Sequence, residues 1–288
     1  MAKSKSQKQI ERLVMHHRRW IQETGEDVRQ YSEKTISNGI QENSIHSFRG
    51  IASGLRMLAT YKGTHGVVSI IDGNQSGWQQ VHHSCLLYLW SFKIENAIYR
   101  RLADSVGLTL LGAQVACMAC YTIVCGSGHW RDIMAHVLTE LAEDAKTTMK
   151  DYWQERRFEP FVIRLNEILN GETPIVNRDE DFGVFTDILL HWNNERSLSE
   201  ALVRACDYHC ENMDDTGDRD PEFDHAPFDL IPWEILAIQQ VRQHTGQVVP
   251  RFSHDLASAA VMQVQSPGPV QDEFLTGVEQ LFRQYFSG

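Results

Sequence analysis

The segment from Gly107 to Gly128 constrains the fold of this chain more than any other part of the sequence. It carries no charged residue and approaches the length of a transmembrane helix. Its polar members include Thr109, Gln114 and Thr122, and its small members include Gly112, Ala113, Ala116 and Ala119. Because polar residues interrupt it and aromatic anchors are missing at both ends, we disfavour a membrane span. We expect residues 108–125 to form a buried helix that other helices cover on all sides.

Apolar residues recur at steps of three and four along most of the chain, which is the period of an α-helix. Strand signals are scarce. The best of them is Val67–Ile71, which follows the expected end of a helix near Gly63. We therefore predict an all-α fold, a multi-helix globular bundle with a central buried apolar helix. A single helical domain over residues 1–288 is expected, with residues 171–181 as the candidate point of subdivision.

The composition is that of a soluble globular protein, with 42% hydrophobic and 23% charged residues. The net charge of −11 disfavours nucleic-acid binding, which needs surplus Lys and Arg, and favours a basic protein partner. The N-terminus has no apolar core of signal-peptide length, and three of the six cysteines lie in one apolar run. These features predict a reducing, cytoplasmic compartment and no membrane partner.

The sequence contains none of the common catalytic motifs. A Walker A loop, an HExxH pair and a GxSxG elbow are all missing. The triplet Asp181-Phe182-Gly183 matches one kinase motif, but the glycine-rich loop and the HRD motif that accompany it are not there. We therefore predict that the protein is not an enzyme and has neither catalytic residues nor a cofactor.

Three groups of residues have the spacing of metal ligands. They are Cys117, Cys120 and Cys125; Cys206, His209 and Cys210; and the stripe Asp132, His136, Glu140 and Asp144. The two cysteine groups lie on apolar helical faces, where a thiol behaves as a small hydrophobic group. The stripe faces away from the apolar side of its helix, which is typical of a solvated face. We predict no metal site, and a role for Asp132, His136 and Glu140 stays open.

Negative charge is concentrated between Asp207 and Glu234, where ten acidic residues accompany one basic residue, Arg219. Residues 1–19 have the opposite balance, with six basic residues and one acidic residue. A solvated loop would explain the acidic stretch. Aromatic residues among the acids favour a surface that docks a basic partner, with charge setting the association rate and aromatic side chains acting as anchors. The predicted partner-binding residues are Asp214, Asp215, Asp218, Asp220, Glu222, Phe223, Asp224, Phe228, Asp229 and Trp233.

Three features in order are an apolar helix with small residues (110–124), an amphipathic helix ending near Tyr152-Trp153, and the unit PWEILAIQQVRQHTGQVVP at 232–250. Over residues 80–260 this order resembles the helical immunity proteins of bacterial polymorphic toxin systems, particularly the group called immunity protein forty-nine. The resemblance implies a protein that binds and blocks a cognate toxin without catalytic residues. Without a signal peptide it would protect a cytosolic target, for which a basic, nucleic-acid-attacking toxin is a suitable partner. The resemblance assigns no role to any single residue.

Two other functions remain open at this level. A helical adaptor or chaperone for a secreted effector would use the same acidic surface without abolishing an activity. A helical metalloprotein would use the stripe on which Asp132, His136 and Glu140 lie. A toxin gene directly upstream would favour immunity, and metal analysis of the purified protein would test the third function.

Overall fold

The computed structural model of the protein describes residues 3–102, 112–148, 156–177, 180–213, 221–257, 259–268 and 270–286. Their regular structure is helical, with no β-strand in these ranges. The helices are α1 (Lys5–Trp20), α2 (Glu26–Glu42), α3 (Phe48–Ile71), α4 (Gly77–Leu102), α5 (Gly112–Val124), α6 (Gly128–Thr148), α7 (Phe158–Leu169), α8 (Thr186–Leu190), α9 (Glu195–Glu211), α10 (Trp233–His244), α11 (Ala259–Met262) and α12 (Glu273–Phe286). A π-helical turn joins α1 to α2 over Ile21–Gly25. The prediction of an all-α fold is confirmed.

The chain divides into two compact units. The first unit contains residues 1–12, 111–224 and 228–263, and the second contains residues 13–110, 225–227 and 264–288. The candidate point of subdivision at 171–181 lies inside the first unit. This division describes packing alone, so the single domain stays a prediction.

The second unit is built around an antiparallel pair of long helices, α3 and α4. The hydroxyl of Ser84 donates to the main-chain oxygen of Ala59 at 2.7 Å, and the hydroxyl of Ser91 donates to that of Ala52 at 2.9 Å. These buried hydroxyls bond to carbonyl oxygens of the facing helix, so the interface contains polar groups without leaving them unpaired.

The strand predicted at Val67–Ile71 is wrong, because α3 continues through these residues to its end at Ile71. A Cβ atom on Gly63, where the helix was expected to end, would lie 2.9 Å from Oγ of Ser84, and one on Gly66 would lie 2.8 Å from the carbonyl oxygen of Gly77. These glycines therefore allow α3 and α4 to approach closely and do not end α3. Val67 and Ile70 are completely buried. A short β-branched run that is buried on a helix has the same sequence pattern as a buried strand.

The centre of the first unit is α5, in which every residue from Gly112 to Ile123 is buried. It packs against α6, α7 and α10. The ring of Tyr121 meets that of Trp233 edge to face, with 5.1 Å between centroids. The central buried helix is thus confirmed from residue 112 onward, whereas residues 108–111 lie outside the described part of the chain. Within the described ranges, no helix combines the length and the apolar character needed to cross a membrane.

Candidate functional site

The last turns of α9 place His209 in the core of the first unit. The side chain of Asn194 caps the start of this helix by accepting from the main-chain nitrogen of Ser197 at 3.1 Å. The inward face of α9 then runs through Leu198 and Leu202 to His209, at steps of four and seven residues. His209 is completely buried, and its ring stacks on that of Phe223 with 4.1 Å between centroids.

Both ring nitrogens of His209 face oxygen atoms. Nδ1 lies 2.8 Å from Oε1 of Glu234, and Nε2 lies 2.9 Å from the main-chain oxygen of Asp229. A carbonyl oxygen only accepts, so Nε2 donates, and an imidazolium ring donates from both nitrogens at once. Burial by itself lowers the pKa of His209, but the carboxylate of Glu234 outweighs it and raises this pKa above its usual value. The arrangement is a buried ion pair in the centre of the first unit.

Four thiols of α5 and α9 are buried in the same unit. Burial, reinforced by the negative charge of Glu234, raises the pKa of each of them: Cys117, Cys120, Cys206 and Cys210. A thiol with a raised pKa stays protonated at neutral pH, and a protonated thiol is a poor nucleophile and a poor metal ligand. All six cysteines are free. In the described part of the chain, no group of three His, Cys, Asp or Glu side chains is arranged to hold a metal ion.

A second buried acid, Glu159 in the first turn of α7, has no counterpart among the sequence predictions. Its side chain is completely buried, and neither carboxyl oxygen has a hydrogen-bond partner in the described residues. The guanidinium of Arg156 lies 4.0 Å away. Burial, opposed by the charge of Arg156 and assisted by that of Glu222, raises the pKa of Glu159 to about 7. The neutral acid is the form that suits this position.

The residues on either side of positions 214–220 in the acidic stretch are hydrogen-bonded to each other. The main-chain nitrogen of Phe223 donates to the oxygen of Asn212 at 3.0 Å. The hydroxyl of Tyr208 donates to Oε2 of Glu222 at 2.8 Å, and the side-chain amide of Asn212 donates to the oxygen of Tyr208 at 2.7 Å. With Phe223 stacked on His209, these bonds close the base of the segment 213–222 on the core of the first unit.

The structure separates the predicted partner-binding residues into two groups. Asp214, Asp215, Asp218 and Asp220 lie outside the described residues. The remainder belong to the core or its edge: Glu222, Phe223, Phe228, Asp229 and Trp233 are buried, and Asp224 is half-buried. The three aromatic side chains, which the sequence analysis assigned to an exposed surface as anchors, are therefore core residues of the first unit. Partner binding by the acidic stretch stays a prediction.

The structure describes three of the four side chains in the candidate metal-binding stripe on α6. Asp132 and His136 are exposed, and Nε2 of His136 lies 3.4 Å from Oε1 of Glu140. Arg131 lies 3.5 Å from Asp132. The side chain of Asp144 is outside the described part of the chain. A histidine and a carboxylate one helical turn apart form an ordinary exposed pair on a helix surface.

Two acids at the start of the acidic stretch contact the basic N-terminus of the same chain. The ammonium group of Lys5 lies 2.7 Å from Oε1 of Glu211, and the hydroxyl of Ser6 donates to Oδ1 of Asp207 at 3.3 Å. The sequence analysis did not identify this contact, although the opposite charges of residues 1–19 and 207–234 were the signal that would have suggested it.

Comparison of this chain with protein-family models, curated proteins and solved structures finds no match. The resemblance to helical immunity proteins therefore stays a prediction from the sequence pattern.

Proposed function

We propose that this protein is an immunity protein, which binds a cognate bacterial toxin in the cytoplasm and inhibits it. In this proposal it is a binding protein and not an enzyme, and its partner is basic. The proposal is supported by the excess of negative charge between Asp207 and Glu234 and by the order of helices that resembles immunity proteins. A negatively charged surface raises the association rate of a positively charged partner and selects against other partners.

One structural observation carries the proposal: both ends of the segment 213–222 are fixed to the core. Three contacts hold its base. Phe223 donates to Asn212 and stacks on His209, and Tyr208 donates to Glu222. The sequence between them carries Asp214, Asp215, Asp218 and Asp220. A binding loop whose ends are already ordered loses less conformational entropy when it binds. Such a base is suited to holding a charged segment for recognition.

The burial of Phe223, Phe228 and Trp233 changes how this recognition is expected to work. These side chains belong to the core of the first unit, so we do not expect them to enter a pocket of the partner. We therefore assign recognition to the acidic side chains, among which Asp207 and Glu211 are exposed. Association that depends on exposed charges slows as salt is added, because mobile ions screen the charges.

The test is co-production of this protein with the product of the directly adjacent gene in a sensitive bacterial strain. We expect growth to be restored, and we expect the two purified proteins to associate at a rate that falls with ionic strength. Association without restored growth would replace immunity with the adaptor or chaperone function. Neither association nor protection would overturn the proposal.

A further inference from the structure

The first residues of the chain lie on acidic residues that belong to the proposed binding stretch. Besides the contacts of Lys5 with Glu211 and of Ser6 with Asp207, the hydroxyl of Ser4 donates to the carboxylate of Asp255. All of these residues belong to the first unit. A short basic segment of this chain thus contacts Asp207 and Glu211, to which a basic segment of the partner binds in the proposed function.

This segment is a regular helix start. The hydroxyl of Ser4 accepts from the main-chain nitrogen of Gln7 at 2.9 Å, which caps the first turn of α1. The N–H groups of a helix start carry partial positive charge, and at this end of α1 the carboxylates of Asp207 and Asp255 accept from Ser6 and Ser4. Glu211 and Asp207 raise the pKa of Lys5. The positive charge of Lys5 and the partial positive charge of the helix start therefore both attract the acidic side chains.

The contact is nevertheless open to solvent and weak. The side chains of Lys5 and Glu211 are 72% and 48% exposed. Exposed ion pairs of this kind contribute little to stability, because water and salt screen them. Asp207 has a further contact within the first unit, because Nε2 of His254 lies 3.0 Å from the same Oδ1 atom that accepts from Ser6. Asp207 would therefore keep one partner if the basic segment left it.

We propose that residues 3–6 act as an internal competitor, which pairs with Asp207 and Glu211 until a basic segment of the partner displaces it. This inference rests on the proposed function for the identity of the partner, but the competition itself concerns this chain alone. The expected effect is a reduced affinity for all basic ligands, so that only a partner with further contacts on the acidic stretch binds tightly. Loss of the Lys5 contact would make the surface less selective.

Competition is tested with a hexalysine peptide as the probe, at low ionic strength (about 0.01 M), where exposed charges act over about 30 Å. The variant Lys5→Gln removes the contact, and its matched control Lys8→Gln removes the same charge from α1 without removing the Lys5–Glu211 pair. We expect Lys5→Gln to bind hexalysine about two- to fivefold more tightly than Lys8→Gln, the range typical of one exposed ion pair. Equal affinities of the two variants would overturn the proposal.

A second comparison locates the competition. In the Lys5→Gln background, Glu211→Gln should weaken hexalysine binding more than Glu200→Gln does, because Glu211 is the residue that Lys5 contacts. Glu200 is the matched control, since it is exposed on the same helix but pairs with Arg196 at 3.7 Å. Equal effects, or no binding of hexalysine to any variant, would also overturn the proposal. Circular dichroism of each variant checks that α1 and α9 remain folded. None of these measurements uses the toxin, so they fail or succeed independently of the growth test for immunity.

Discussion

The imidazole of His209 and the carboxylate of Glu234 form an ion pair that is completely closed to solvent, with Nδ1 2.8 Å from Oε1. The second carboxyl oxygen of Glu234 has no hydrogen-bond partner in the described ranges. Removing water from two charges is costly, and their mutual attraction offsets that cost only while both are present. Removing either member of the pair should therefore strongly destabilise the contact between α9 and α10. Replacing both members with apolar side chains need not lower the stability of the protein.

The variant Glu234→Ala should lower the free energy of unfolding by about 3–5 kcal/mol, because it leaves His209 buried without its partner. Urea unfolding followed by circular dichroism measures this change. The control is Glu279→Ala, which removes an exposed partner of Arg283 on α12 and should cost about 0.5 kcal/mol or less. Similar small effects of both variants would contradict the buried ion pair.

The same pair makes stability depend on pH. The pKa of His209 is raised above 6.5 in the folded protein, so folding favours the protonated ring. This contribution is fully present below about pH 6.5 and is lost as the pH rises through the pKa of folded His209. The difference in unfolding free energy between the native protein and Glu234→Ala should therefore shrink as the pH is raised from 6 toward 9. A difference that grows with pH would mean that Glu234 does not hold the proton on His209.

Substitution of Glu159 should raise the free energy of unfolding at high pH, whereas substitution of Glu234 lowers it. Its pKa is about 7 in the folded protein against 4.5 when exposed, so its ionisation destabilises the folded state as the pH rises through this window. The variant Glu159→Gln stays neutral, and above pH 7 it should be more stable than the native protein, by roughly 3 kcal/mol at most. Near pH 4 the two should be equally stable. Glu167→Gln, exposed on the same helix, is the control and should show no such pH-dependent gain.

The core around α5 should not accept a larger side chain. Ala116 is completely buried between α5 and its neighbours, and Ala116→Leu should lower the unfolding free energy by about 1–3 kcal/mol through overpacking. Ala135→Leu, at a half-buried position on α6, introduces the same side chain where it has room. Equal stability of the two variants would show that the small residues of α5 do not set its distance from other helices.

The fold was largely predictable because its strongest signals are local. An uncharged run with small residues predicts a covered helix, and α5 has that position from residue 112. The error at Val67–Ile71 arose because glycine marks both helix ends and close helix crossings, and only the partner helix distinguishes them. Ser84, on α4, is the residue that decides this case for Gly63, because its hydroxyl oxygen would lie 2.9 Å from a Cβ atom there. A contact between two helices is not visible in the periodicity of either one.

The candidate site was less predictable, because the same acids and aromatic residues fit two environments. Phe223 and Trp233 were assigned to the surface since acidic residues surround them in the sequence, yet both are core residues. Glu234 is buried because His209, 25 positions earlier, supplies the opposite charge. Pairing at that distance follows from tertiary structure alone. Composition could indicate a negative stretch but not which of its acids are buried.

We expect the cysteines with a raised pKa to be protonated, namely Cys117, Cys120, Cys125, Cys206 and Cys210. Burial raises the pKa of Cys125 to about 11 and that of Cys210 to about 12. Titration with a thiol reagent in denaturant, without reductant, should find six free thiols per chain. The folded protein should react slowly, because the thiolate is the reactive form. Stoichiometric zinc in the purified protein would contradict this prediction and indicate that Cys206, His209 and Cys210 are ligands.

The last prediction concerns the acidic stretch itself. Changing Asp214, Asp215, Asp218 and Asp220 together to Asn should leave the unfolding free energy nearly unchanged, because we expect these charges at the surface, where a charge contributes little to stability. Association with the product of the adjacent gene should become slower, and its dependence on salt should flatten, because exposed charges act mainly on the association rate. The control removes the same charge from exposed positions elsewhere: Glu23, Glu172, Glu195 and Glu200 to Gln. If both variants associate equally fast at low salt, the stretch is a solvated loop, and net charge alone accounts for any attraction of a basic partner.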